Sequence, residues 1–196
     1  EPMSANLPEL RHNLKLGGVE SKVTVAPWAL ANSDGPVEFQ VDDMQSASGA
    51  VNSVYDGQAC RARAALGLPP MTEQVTSRTI DAILRAKELP APDVLKIDVE
   101  GAERMLLDGG ADFFREAQPR LLIETHGLEV SRRCLEFLFD HGYSVAGHVP
   151  VNWQAQRHLQ LDRSVLARMT DQYDVHFIVA AKLPHDLPLK LDYENL

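Results

Sequence analysis

Two carboxylates and a histidine, each following a short apolar run, are the residues of this chain best placed to do chemistry. Residues 93–103 read Asp-Val-Leu-Lys-Ile-Asp-Val-Glu-Gly-Ala-Glu, a strand-like stretch that stops on Asp98 and continues into Glu100 and Gly101. In an open α/β sheet, ligands sit outside the carboxyl ends of the strands, so Asp98 and Glu100 stand where such a sheet works. A carboxylate there can orient or deprotonate a nucleophile, and it offers negative charge to a cationic ligand. The alternative for Asp98 is structural, since Asp is a favoured N-cap and a helix can begin near Gly101. Glu103 falls in the first turn of that helix, where the dipole favours an acid. A second run ends on Glu124-Thr125-His126. His126 is the best general-base candidate, because imidazole titrates near neutrality; its alternative is a polar residue tied to the sheet edge. His126 can also join Asp98 and Glu124 around a cation, but no compact motif such as His-x-x-x-His accompanies them, and the expectation is no metal.

These residues need a frame of alternating strands and helices. Asn6 can cap a helix with Pro8 in its first turn, Leu7, Leu10 and Leu14 on one face, and Gly17-Gly18 as its end. Residues 23–26 read as a strand, 32–35 as a turn and 37–41 as a second strand, the pair forming a hairpin. Residues 42–74, rich in Gly, Ser, Ala, Asp and Gln and without a steady period, read as an irregular insertion or mobile loop. Thr79 caps a helix carrying Ile80, Ile83 and Leu84, closed by Pro90 and Pro92. Strands follow at 94–97 and 120–124, separated by a short helix through Met105 and Leu106 that ends at Gly109-Gly110. Val130, Cys134, Leu135 and Leu138 line a helix ending at His141-Gly142. A short strand at 143–146 and, after an irregular stretch, one at 175–180 complete the chain. The alternation predicts a single α/β domain over 1–196, with a parallel-rich sheet and right-handed crossovers.

Composition agrees. The 196 residues are 44% hydrophobic and 24% charged, a globular balance. The net charge of -9, from 19 basic and 28 acidic residues, speaks against a phosphate-backbone binder, so no nucleic-acid partner is expected. Two widely separated cysteines, Cys60 and Cys134, fit a reducing, cytoplasmic setting. No run approaches the roughly 18 apolar residues of a membrane span.

Several motifs occur together in one order: Glu1-Pro2 and the helix ending in Asn13-Leu14; Ala29-Leu30 with the Asp34-Gly35 turn; Thr79-Ile80-Asp81; Leu95-Lys96-Ile97-Asp98-Val99-Glu100-Gly101-Ala102-Glu103; and Leu122-Ile123-Glu124-Thr125-His126. Over residues 1 to about 126 the chain resembles FkbM-type methyltransferases, which are class I enzymes dependent on S-adenosylmethionine. The resemblance implies that Glu1 matches the acid that hydrogen-bonds the cofactor ribose, and that Glu1, Ala29, Leu30 and Asp98 contact the cofactor. Asp98, His126 and Glu100 are the implied catalytic groups. Trp28 can bear the adenine, and Trp153 can cover an acceptor. The first two strands of that fold and their glycine-rich turn have no counterpart in these residues. The fold class expected is therefore α/β, a Rossmann-like class I methyltransferase sheet truncated at its N-terminus. Weak or absent cofactor binding is expected of this stretch alone. The implied activity, in the intact parent, is O-methylation of a hydroxyl on a sugar or a secondary-metabolite-like small molecule, so the expected partner is a small-molecule or glycan hydroxyl acceptor. The alternatives are an NAD-type Rossmann enzyme that holds ribose with Glu1, and a non-catalytic interaction module.

Overall fold

A computed structural model describes residues 1–42, 48–51, 63, 65–152, 155–170, 175 and 177–182. Its elements fall around two sheets. After helix α1 (Asn6–Leu16) come β1 (Ala29–Leu30), β2 (Gly35–Asp42), β3 (Ser48–Val51) and β4 (Thr72–Arg78), which form the first sheet in the order β1-β4-β2-β3. Helix α2 (Ile80–Arg85) leads to the second sheet. That sheet contains β5 (Val94–Ile97), β6 (Arg120–Glu124), β7 (Ser144–Asn152), β8 (Ala155–Leu161) and β9 (Phe177–Ala181), in the order β5-β6-β9-β7-β8. Helices α3 (Glu103–Asp108) and α4 (Ala111–Glu116) connect β5 to β6, and α5 (Leu128–Asp140) connects β6 to β7.

Local chemistry explains most of these elements. The Thr79 hydroxyl accepts from the Ala82 amide at 3.2 Å, the expected cap of α2. In β6 burial alternates, with Leu121 and Ile123 inside and Leu122 exposed, the period of a pleated strand. In α5, Cys134, Leu135, Phe137 and Leu138 are buried, a stripe at helical spacing. These side chains join Ile97, Leu107, Phe114, Ile178 and others in the main core. Each fully buried Leu, Ile or Phe contributes about 1.5–3 kcal/mol. A smaller core of Met3, Ala29, Phe39, Val41, Val75 and Ala102 lies against the first sheet.

The expected single sheet at 94–97, 120–124, 143–146 and 175–180 is present. β5 and β6 are parallel, and β9 runs antiparallel to both β6 and β7. Other expectations need correction. Residues 23–26 form no strand: Val23 is exposed, and Pro27 removes a donor and restricts the residue before it. The hairpin is replaced by a two-residue β1 paired in parallel with β4, while β2 pairs antiparallel with β3 and β4. The 7-residue β4 has one aliphatic member, Val75, which hid it in the sequence. The strand at 143–146 extends to Asn152 and is paired by β8. Asn6 does not cap α1; the N-cap is Ala5, with no side-chain bond, and no residue of α1 is buried. Within the stretch 42–74, residues 48–51 are strand and β4 begins at Thr72. Residues 43–47, 52–62 and 64, and Trp153, lie outside the described residues.

The two sheets are joined through α2, α4 and the segment after β1. The Asp81 carboxylate accepts from the Asp112 and Phe113 amides at 3.1 and 3.0 Å, capping α4 from a different helix. The Asp81 amide donates to the Gly109 carbonyl at 3.0 Å. Gly109 itself sits so close to the segment after β1 that a Cβ would lie 2.0 Å from the Ala31 carbonyl oxygen. This contact sets how the first sheet, with Ala29 and Leu30, faces the end of β5.

Candidate active site

The parallel register of β5 and β6 aligns Lys96 with Leu122 and Ile97 with Ile123, so the next residues, Asp98 and Glu124, leave the sheet side by side. Lys96 Nζ lies 2.5 Å from Asp98 Oδ2 and 4.0 Å from Glu124 Oε2. After Asp98 the chain turns sharply. Glu100 has φ 52 and Gly101 has φ 97. A left-handed conformation costs a residue such as Glu roughly 1–2 kcal/mol and persists only where its surroundings impose it. The surroundings here are Glu103. Its Oε1 accepts from the Val99 amide at 3.3 Å and the Gly101 amide at 3.0 Å, and the side chain is fully buried.

Glu103 stands in the first turn of α3, as expected, and is buried there. The same oxygen lies 2.8 Å from His126 Nδ1. The other ring nitrogen, Nε2, is 3.6 Å from Glu100 Oε2 and 3.8 Å from Asp98 Oδ1. The hydrogen bond to Glu103 is the largest influence on His126 and raises its pKa above the ordinary 6.5; burial opposes it, and the charges of Glu103, Glu100 and Asp98 reinforce it. The helix-cap alternative for Asp98 is not what forms, because the N-cap of α3 is Ala102 and receives no side-chain bond.

A cavity of about 530 Å³ opens between the two sheets, lined by Glu1, Trp28, Ala29, Leu30, Asp98 and Glu100 among others. Every residue expected on the cofactor therefore borders one space, together with one of the other two catalytic candidates. His126 does not line this space; it stands behind Asp98 and Glu100. Glu1 is tied in place, its carboxylate accepting from the Met3 amide at 2.8 Å and its amino group donating to the Ala26 carbonyl at 3.2 Å. The Trp28 ring carries the Arg78 guanidinium 5.1 Å from its centroid. Apolar walls with carboxylates at the rim fit a ligand that combines a flat apolar part with a cationic centre. Among the described residues, Asp98, Glu124 and His126 also place one ligand atom each within 4.8 Å of one another. Lys96 already supplies positive charge between the two carboxylates.

Glu103 is the residue that sequence reading missed. Its signal was present: an acid three residues beyond Glu100, in a turn that contains Gly101, can fold back onto the turn's own amides. Among the described residues no helix is long and apolar enough to cross a membrane.

No curated protein matches this sequence. A similar solved structure is that of the methyltransferase FkbM from Methylobacillus flagellatus KT, with a TM-score of 0.51 and 17% identity. The match covers 92% of this chain and 35% of that one, so this chain spans about a third of its length. At that identity the likeness shows the fold, a Rossmann-like α/β arrangement of the class I methyltransferase kind. The family model of the methyltransferase FkbM domain matches residues 1–145, most of the chain, including the ends of β5 and β6 that carry the candidate residues. The chain belongs to the FkbM methyltransferase domain family.

Proposed function

We propose that this domain serves an S-adenosylmethionine-dependent O-methyltransferase whose acceptor is a hydroxyl on a sugar or a secondary-metabolite-like small molecule. The observation that carries the reading is the shared cavity. It brings Glu1 and the β1 residues Ala29 and Leu30 to face Asp98 and Glu100, which follow β5. The cofactor, when bound, supplies a methyl group made electrophilic by a sulfonium. Glu1 offers a carboxylate able to accept two ribose hydroxyl protons. Trp28, Ala29 and Leu30 form the apolar wall. Asp98 and Glu100 set negative charge at the rim, orient the hydroxyl and take up the proton it must lose, and His126 Nε2, 3.6–3.8 Å behind them, receives that proton from the carboxylates. Alignment supplies most of the rate in such a displacement, and the proton acceptor adds roughly 10²–10⁴-fold.

The test uses the full gene product, S-adenosylmethionine carrying a labelled methyl group, and a panel of sugars and polyketide-like alcohols. The expected product is an ether, so the label survives mild alkaline hydrolysis that would release it from an ester. Absence of both calorimetric binding and label transfer overturns the reading and leaves a non-catalytic interaction module.

A further inference from the structure

The proposed reaction leaves unexplained why a fully buried carboxylate stands behind the histidine. Burying a carboxylate costs several kcal/mol unless hydrogen bonds and opposite charge compensate it. Glu103 concentrates its compensation on one oxygen, Oε1, which meets the Val99 amide, the Gly101 amide and His126 Nδ1 at 3.3, 3.0 and 2.8 Å. Oε2 is buried without a hydrogen-bond partner among the described residues. Two of the three contacts shape the turn that carries Glu100, and the third fixes the ring.

We propose that Glu103 is a positioning residue: its Oε1 accepts from His126 Nδ1, which leaves Nε2 as the atom that faces Asp98 and Glu100 and exchanges the acceptor's proton. A neutral imidazole has one donor nitrogen and one acceptor nitrogen, and the partner of one decides the role of the other. With Nδ1–H given to Glu103, the lone pair lies on Nε2, toward the cavity rim. One carboxylate thereby sets both the turn and the tautomer, so Glu100 and His126 are placed relative to each other by a single group. The charges around the ring are Asp98 and Glu100 from the turn, Glu103 from α3, Glu124 from β6, and Lys96 paired to Asp98. The charge of Glu103 also reaches the buried Cys134 thiol of α5, together with those of Arg104 and Asp108 of α3.

This inference rests on the proposed role of His126, but its test does not require turnover. The tautomer and titration of His126 are followed by heteronuclear NMR in the wild-type chain, in Glu103→Gln and in Glu103→Asp. Wild type should show the Nδ1–H tautomer and titrate above the ordinary histidine value. Glu103→Gln, isosteric but uncharged, should shift the titration down toward that value, and Glu103→Asp should restore part of the shift. In the full gene product, kcat for Glu103→Gln should fall at least about tenfold, with the KM for S-adenosylmethionine little changed. An unchanged tautomer and titration in folded Glu103→Gln overturns the proposal. If the Gln variant does not fold, the wild-type chain decides: a neutral ring of His126 carrying its proton on Nε2 overturns the proposal. Should methyl transfer fail in every form while the NMR shifts hold, the reading of function falls and the positioning role stands.

Discussion

Replacing Gly109 by Ala tests how the two sheets are held in register. An added Cβ would lie 2.0 Å from the Ala31 carbonyl oxygen, 3.0 Å from its carbonyl carbon and 3.3 Å from the Asn32 Cα. All three atoms are backbone, so no rotamer change relieves the overlap. Ordinary contact begins near 3.4 Å, and the Ala31 segment or α3 must therefore retreat by about 1.4 Å, a displacement that close-packed interiors resist. Two hydrogen bonds stand in the way: Ala31 N to the Arg78 carbonyl at 3.1 Å and Asp81 N to the Gly109 carbonyl at 3.0 Å. Overpacking costs about 1–3 kcal/mol, and weakening one or both of those bonds adds about 1 kcal/mol each. A total of roughly 2–5 kcal/mol corresponds to a fall in melting temperature of about 5–15 °C for a chain of this size. Thermal unfolding followed by circular dichroism is the assay. A Gly109→Ala chain that melts within a degree of wild type would show that the Ala31 segment does not pack on the β5 half as described.

The remaining predictions concern single side chains. Asp98→Asn keeps the shape and removes the charge; turnover of the full gene product should fall roughly 10²-fold or more, while stability changes by less than about 1 kcal/mol because the ion pair with Lys96 is largely solvent-exposed. Lost stability with intact turnover per folded molecule would make Asp98 structural. Since the folded pKa of His126 is raised above 6.5, its stabilising contribution is fully present below about 6.5 and is lost as pH rises through the raised value. The urea midpoint of wild type minus that of His126→Ala should therefore shrink with increasing pH, and a difference that grows would refute the assignment. A base must be neutral, so the rate should rise through that same titration, and the loss in His126→Ala should partly recover at high pH. Burial pushes the Cys134 thiol far above its usual range. In a Cys60→Ser chain, a disulfide-exchange reagent should label Cys134 only as fast as the protein unfolds.

The parts of this fold that the sequence announced are those where one element carries its own periodicity or cap. β6 shows alternation, α5 shows a helical stripe, and Thr79 opens α2 with a side-chain bond, so each was readable from a few neighbours. β4 and β8 were not, because Thr72–Arg78 and Ala155–Leu161 are mostly polar and become strands through pairing with distant partners. The strand expected at 23–26 was misplaced for a related reason: the strand that forms, β1, is two residues long and exists by its parallel contact with β4. At the candidate site, Asp98, Glu100 and His126 stood out in the sequence because they follow apolar runs. For Glu103 only the fold-back onto the Val99 and Gly101 amides had a local signal; its contact with His126 had none, because the β6 end brings that ring from 23 residues away.

Among the described strands of its sheet, β5 stands at the margin, with one side open to a further strand from the same polypeptide or from another. Among the described residues β5 pairs only with β6, and Val94 is 62% exposed. A strand margin of this kind is a template on which other chains can add, and natural proteins guard such margins with charge, lysine above all. Lys96 occupies the centre of β5 and remains 55% exposed while it pairs with Asp98. The lysine that balances the carboxylates at the candidate site therefore also sets the charge that any strand laid beside β5 would meet, and exchanging it for an apolar residue would change that strand's fit along with the local charge.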